Sequence, residues 1–62
     1  MTIFTAIQKR EAIERELTYR RRVFARLVAT GKMKQSLMDS QIEIFESIRE
    51  DYSSMEMMER LI

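Results

Sequence analysis

The feature that most constrains the fold of this chain is a near absence of residues that break helices. Its 62 residues contain no proline and one glycine, Gly31, which lies at the middle of the chain. Proline and glycine end helices and build tight turns, so this chain has few places to reverse direction. We therefore expect an all-α fold, an antiparallel hairpin of two helices that meet near Gly31, in one domain spanning residues 1–62.

The first helix is predicted over residues 3–30 by apolar residues that recur every three or four positions. Thr2 or Thr5 is the expected N-cap, because a threonine hydroxyl accepts a free amide hydrogen of the first turn. Gly31 follows at the position where a left-handed residue closes a helix. The predicted core residues of this helix are Ile13, Leu17, Phe24 and Leu27.

The second helix is predicted over residues 34–52, with Lys34 or Ser36 as its N-cap. Its apolar arc covers roughly 160°, wider than the roughly 100° stripe typical of a surface helix. Gln41 and Ile44 lie within this arc. The predicted core residues of the second helix are Leu37, Ile42, Phe45, Ile48 and Tyr52.

The helical pattern changes at Ser53 and Ser54. If the helix continued without a break, Glu56 and Glu59 would enter the apolar arc. Residues 53–56 also have the Ser-x-x-Glu form of a capping box, which begins helices. We therefore predict that residues 54–62 form a short third helix or a frayed tail, and the sequence leaves both alternatives open.

Charge is distributed unevenly along the chain. Residues 1–34 contain nine basic and three acidic side chains, and residues 35–62 contain two basic and seven acidic ones. Opposite charges of this kind attract within one molecule or between copies. Arg10 falls inside the apolar stripe of the first helix, so we expect its side chain to snorkel or to pair with an acid of a neighbouring helix.

The composition excludes several kinds of active site. The chain has no cysteine and no histidine, so it lacks thiol nucleophiles, imidazole bases and the usual zinc ligands. An acidic row on the second helix faces away from the apolar arc and so lacks the sheltered carboxylate pair that acid–base catalysis needs. We expect no enzymatic activity, no cofactor and no metal. The acidic row is Asp39, Glu43, Glu46 and Glu50.

Targeting signals are also not evident in the sequence. The apolar segment near the N-terminus gives way to charged residues at Lys9, too early for the core of a signal peptide. No uncharged apolar run approaches the roughly 18–20 residues that a membrane span requires. We expect a soluble, cytoplasmic protein with no membrane partner.

Two stretches of the chain carry a resemblance to known proteins. The first helix contains Glu16-Leu17-Thr18-Tyr19-Arg20-Arg21-Arg22-Val23-Phe24-Ala25-Arg26-Leu27-Val28. The turn and second helix continue with Gly31-Lys32-Met33 and Ile42-Glu43-Ile44-Phe45-Glu46-Ser47-Ile48. Residues 10–52 thereby resemble a group of small, uncharacterised proteins encoded in bacteriophage and prophage regions of proteobacteria. The resemblance implies a bacterial or phage-infected host and no particular activity. Lys34 departs from the pattern, since a Ser or Thr often follows the methionine of the turn.

Oligomerisation is the expected source of extra stability for so short a chain without disulfides or metals. The second helix has more apolar surface than one partner helix can cover. We predict a homodimer, most simply a four-helix bundle. Because the hinge is short, an interleaved, domain-swapped dimer is the alternative.

Two functions are compatible with this architecture. The first is a non-catalytic interaction or structural module, a phage or prophage accessory protein that acts as a homodimer and binds a host or phage protein. The less favoured alternative is a nucleic-acid-binding protein that uses a basic row on the first helix. The candidate contact residues are Arg15, Arg22 and Arg26 for the basic row and Tyr19, Met55, Met58 and Leu61 for an apolar partner.

Overall fold

A computed structural model describes residues 3–61 and shows two helices packed against each other. Helix α1 spans Ala6–Ala29 and helix α2 spans Gln35–Arg60. Contacts between Arg10 and Glu56 and between Arg21 and Glu46 show that the helices run antiparallel. The molecule measures 48 × 21 × 17 Å. The predicted all-α helical hairpin is confirmed.

Helix α1 begins at a reciprocal capping box. The Thr5 side chain accepts a hydrogen bond from the backbone N–H of Gln8 at 3.1 Å, and the Gln8 side chain accepts one from the backbone N–H of Thr5 at 2.9 Å. These bonds satisfy amide groups that would otherwise have no partner in the helix. Thr5 is therefore the N-cap, and the helix begins three residues later than predicted. The alternative cap, Thr2, lies outside the described residues.

The turn between the helices is closed by a Schellman motif. Gly31 adopts a φ of +76°. Its N–H donates to the carbonyl of Val28 at 3.1 Å, and the N–H of Lys32 donates to the carbonyl of Leu27 at 2.8 Å. This pairing is the one that a left-handed C′ residue permits. The predicted role of Gly31 is confirmed.

Helix α2 does not break at the serine pair. It begins after Lys34, the N-cap, which excludes the alternative start at Ser36, and it continues through Ser53 and Ser54 to Arg60. The prediction of a separate third helix or frayed tail over residues 54–61 is wrong, and Ile62 lies outside the described residues. The physical reason is that the charge of Glu56, which argued for a break, is compensated by α1.

Glu56 is buried against α1, with 7% of its surface exposed. It accepts a hydrogen bond from Nε of Arg10, and its other oxygen lies 2.7 Å from Nη2 of Arg60. Arg10 also contacts Glu14 at 3.0 Å. The hydrogen bond with Glu56 is the main cause that raises the pKa of Arg10 above its ordinary value, while burial acts in the opposite direction. The prediction that Arg10 pairs with an acid of a neighbouring helix is confirmed.

A second contact between α1 and α2 lies at the same end of the hairpin. Oε1 of Glu59 accepts a hydrogen bond from the backbone N–H of Ala6 at 3.0 Å. Ala6 is the first residue of α1, where free amide groups and the helix dipole both favour a negative charge. The last turn of α2 therefore caps the first turn of α1.

The core of the single chain is small. Leu17 is the largest fully buried side chain, at 1% exposure. Of the other predicted core residues, Leu37 is half exposed and lies outside the core of the single chain. The buried apolar residues are Ala6, Leu17 and Ile42. The predicted core residues that are partly buried are Ile13, Phe24, Leu27, Phe45, Ile48 and Tyr52.

Candidate interaction surfaces

The two sides of the hairpin can be distinguished by two consecutive arginines. The guanidinium of Arg20 lies 4.5 Å from the centre of the Phe45 ring. Nη2 of Arg21 lies 3.4 Å from Oε1 of Glu46. Consecutive residues on a helix point about 100° apart. Arg20 and Phe45 therefore mark one side of the contact between the helices, and Arg21 and Glu46 mark the other.

An apolar stripe extends along α2 on the Phe45 side. Ile44 precedes Phe45 and lies about 100° around the helix from it, in the direction away from Glu46. Ile44 is 51% exposed. Residues spaced by seven, four and seven positions from Leu37 share this side of the helix. Leu37, Ile44 and Met55 are exposed and Ile48 is partly buried. We call this set, Leu37, Ile44, Ile48 and Met55, the lateral stripe.

Basic residues cover the face of α1 that points away from α2. Spacings of four, three and four residues place Arg15, Tyr19, Arg22 and Arg26 on one face, which we call the outer basic face. All four side chains are exposed. Two acids of the same helix are engaged elsewhere, since Glu14 pairs with Arg10 and Glu16 pairs with Arg20. Within residues 3–61, no ion pair involves the three arginines of the outer basic face.

A shallow depression adjoins the outer basic face at its N-terminal end. It lies beside Phe4, whose ring is more than half exposed. Phe4 and the first three turns of α1 form its floor and walls, which include basic, acidic and apolar groups. The lining residues are Phe4, Gln8, Lys9, Glu11, Ala12 and Arg15.

The four predicted apolar contact residues do not form one patch. Met55, Met58 and Leu61 all lie near the end of α2 and are exposed. Tyr19 lies on α1, two residues before Arg21, which contacts Glu46 in the middle of α2. The axial rise of a helix then separates Tyr19 from Met55 by roughly 10 Å along the hairpin.

The acidic row on α2 shows no feature of a metal site. Asp39, Glu43 and Glu50 are exposed, and Glu46 pairs with Arg21. No group of three potential ligands suited to a metal ion occurs in the described part of the chain. Neither α1 nor α2 has the length and apolar character needed to cross a membrane.

Sequence reasoning did not single out two residues of these surfaces. The sequence placed Ile44 in a wide apolar arc on the second helix. The width of that arc was the available signal that part of the apolar surface would remain exposed. Phe4 precedes α1 and follows no helical pattern, so nothing in the sequence indicated its place. Comparisons with protein-family models, with curated proteins and with solved structures found no match to this chain.

Proposed function

We propose that this protein is a non-catalytic helical-hairpin module that acts as a homodimer through its lateral stripe. The observation that carries the proposal is a contrast within residues 3–61. Three apolar residues are buried there, whereas the apolar lateral stripe is largely exposed. Ordering a small chain opposes folding by about 1.5 kcal/mol per residue. Burying the lateral stripe against a second copy supplies apolar burial that the single chain lacks.

The surface area of the hairpin supports a second copy as the occupant of this stripe. The chain exposes 5086 Å². A folded monomer of this mass exposes roughly 4200 Å² by the usual scaling with molecular weight. The hairpin therefore exposes more surface than a compact monomer, and a standard interface buries roughly 800 Å² of each partner. The broad side of the molecule, 48 by 21 Å, is large enough to provide that area.

A four-helix bundle is the simplest dimer of this kind. In it, the lateral stripes of two hairpins pack together, and the apolar flank of α1 that includes Ile13 and Leu27 extends the contact. An interleaved dimer, in which the copies exchange α2 across the turn, is the alternative arrangement. In both arrangements we propose that the lateral stripes of the two copies pack together, so substitution of Ile44 tests dimerisation in either case.

Sedimentation equilibrium at tens of micromolar tests the proposal. We expect the parent protein to be dimeric and Ile44→Glu to raise the dissociation constant by at least about 100-fold, because a charge would be buried at the interface. Ala25→Glu is the matched control: Ala25 is exposed and lies one turn from Arg21, on the opposite side of the hairpin. A parent protein that sediments as a monomer would overturn the proposal.

We propose that the dimer is a phage or prophage accessory protein, in line with the resemblance of residues 10–52, and that it binds a host or phage protein in the cytoplasm. Exposed Met58 and Leu61 at the end of α2 support an apolar docking site, since methionine adapts its shape to a partner. Affinity capture from the native host with the parent and with Ile44→Glu tests the role. A partner captured equally by both proteins would show that binding does not need the dimer.

A further inference from the structure

Exposed aromatic and basic side chains occur together on the side of α1 that points away from α2. The outer basic face places Tyr19 among three arginines, and Phe4 stands at the end of the same face beside Arg15. We propose that this surface binds single-stranded nucleic acid, with the basic groups on phosphates and the aromatic rings against bases. The inference goes beyond the proposed dimer and does not depend on it.

The charges of this surface are available to an anionic ligand. Glu14 and Glu16, two of the three acids of α1, are held by Arg10 and Arg20. The third acid, Glu11, lies beside Arg15, and the three arginines of the outer basic face outnumber it. The acids of α2 within the described residues belong to the neighbouring helix and do not lie on this face of α1. Two of them, Glu56 and Glu59, contact the side of α1 that faces α2. When arginines neutralise phosphates, counterions leave the nucleic acid, so binding through these arginines weakens as the salt concentration rises.

The aromatic rings favour a single strand over a duplex. Tyr19 is 60% exposed and Phe4 is 56% exposed, so both rings are open to a stacking partner. Proteins that bind single strands without reading sequence combine a basic track with rings on which unpaired bases stack. In a duplex the bases are already stacked and their faces cannot reach these rings. From Phe4 to Arg26 the face extends for roughly 33 Å, enough for several nucleotides.

The first experiment measures the charge contribution by anisotropy of a labelled oligothymidylate over a range of salt concentrations. For the parent, the logarithm of the binding constant should fall linearly with the logarithm of salt. Arg15→Gln combined with Arg22→Gln should reduce that slope by about 1.4, since each phosphate contact on a single strand contributes about 0.7. The control pair, Lys32→Gln with Lys34→Gln, removes the same charge at the exposed turn and should change the slope much less.

The second experiment tests stacking on Tyr19 directly. The chain contains two tyrosines and no tryptophan, so Tyr52→Phe leaves Tyr19 as the only strongly fluorescent residue. Oligothymidylate should quench this fluorescence. Tyr19→Ala should weaken binding about tenfold without changing the salt slope, and Tyr19→Phe should retain the affinity of the parent. Circular dichroism of each variant checks that the helices are intact.

Four results would overturn the proposal. The first is that the oligonucleotide does not bind at low salt. The second is that the control pair of substitutions reduces the salt dependence of the binding constant equally. The third is tight binding of a duplex without quenching of Tyr19 fluorescence. The fourth is equal competition by polyglutamate, which would show that the arginines recognise an acidic protein instead.

Discussion

At the residue scale, the informative pair is Arg10 and Glu56. Each is a charged residue at a position where the helical pattern demands an apolar one, and each alone suggests that its helix is irregular. In the structure they form an ion pair across the contact between α1 and α2, and each charge compensates the free-energy cost of burying the other. The pair is 46 positions apart in sequence. Local spacing cannot reveal such a pairing, and this is why the end of α2 was predicted wrongly.

Removing one member of this pair should destabilise the protein strongly. Glu56→Ala leaves Arg10 partly buried without its main partner, and we expect the midpoint of urea unfolding to fall clearly. Replacing both residues, as Arg10→Met with Glu56→Leu, should restore the stability of the parent or exceed it. Urea unfolding followed by circular dichroism measures both variants. Equal losses in the single and double variants would contradict the assignment of this pair.

At the element scale, the continuity of α2 through Ser53 and Ser54 can be tested by substitution. Both serines are exposed within the helix, so Ser53→Ala and Ser54→Ala should each stabilise the protein by up to about 0.5 kcal/mol, because alanine is the better helix former. If Ser53 instead capped a separate helix, its replacement would destabilise the protein by about 1 kcal/mol. Thermal unfolding of the two variants distinguishes these outcomes by sign.

The turn gives a prediction that depends on backbone conformation alone. A Cβ atom at Gly31 would meet nothing within 4 Å, so Gly31→Ala creates no clash. It should still reduce stability by about 1–2 kcal/mol, because the φ of +76° is unfavourable for a residue with a side chain. Gly31→Asn should lose less, since asparagine tolerates this region. Equal urea midpoints for all three proteins would contradict the described turn.

Much of each element could be predicted because its signals are local. The apolar spacing, the hydroxyl of Thr5 and the single glycine each act within one or two turns, and they gave the two helices and the turn. The tertiary cap by Glu59 could not be predicted, because it joins residues 53 positions apart. Of the candidate surfaces, the row of Arg15, Arg22 and Arg26 followed from spacing. The separation of Tyr19 from Met55 depends on helix register, which the sequence does not state.

At the scale of the whole molecule, the last two turns of α2 belong to the fold. Deleting residues 54–62 removes the ion pair of Glu56 and the cap that Glu59 places on α1. We expect this truncation to lower the melting temperature clearly. Deleting only residues 61 and 62 removes exposed Leu61 and should leave the melting temperature almost unchanged. If the longer deletion melted like the parent, the contacts of Glu56 and Glu59 would contribute nothing to stability.

Dimer formation has its own signature at this scale. A partner copy that binds only the folded chain makes the melting temperature rise with protein concentration. We expect that rise for the parent and for Ala25→Glu, and a nearly constant melting temperature for Ile44→Glu. Differential scanning calorimetry over a wide range of concentrations provides the measurement. A constant melting temperature for the parent would contradict the dimer.

The contacts at the end of the hairpin opposite the turn also determine how the molecule resists mechanical force. Because α1 begins where α2 ends, a force that pulls residues 5 and 60 apart acts across the helices and peels them from each other. The load falls first on the bond between Glu59 and Ala6, then on the pair of Arg10 and Glu56, and only later on the contacts near the turn. The hairpin therefore unzips one helical turn at a time, which makes it mechanically soft in this direction.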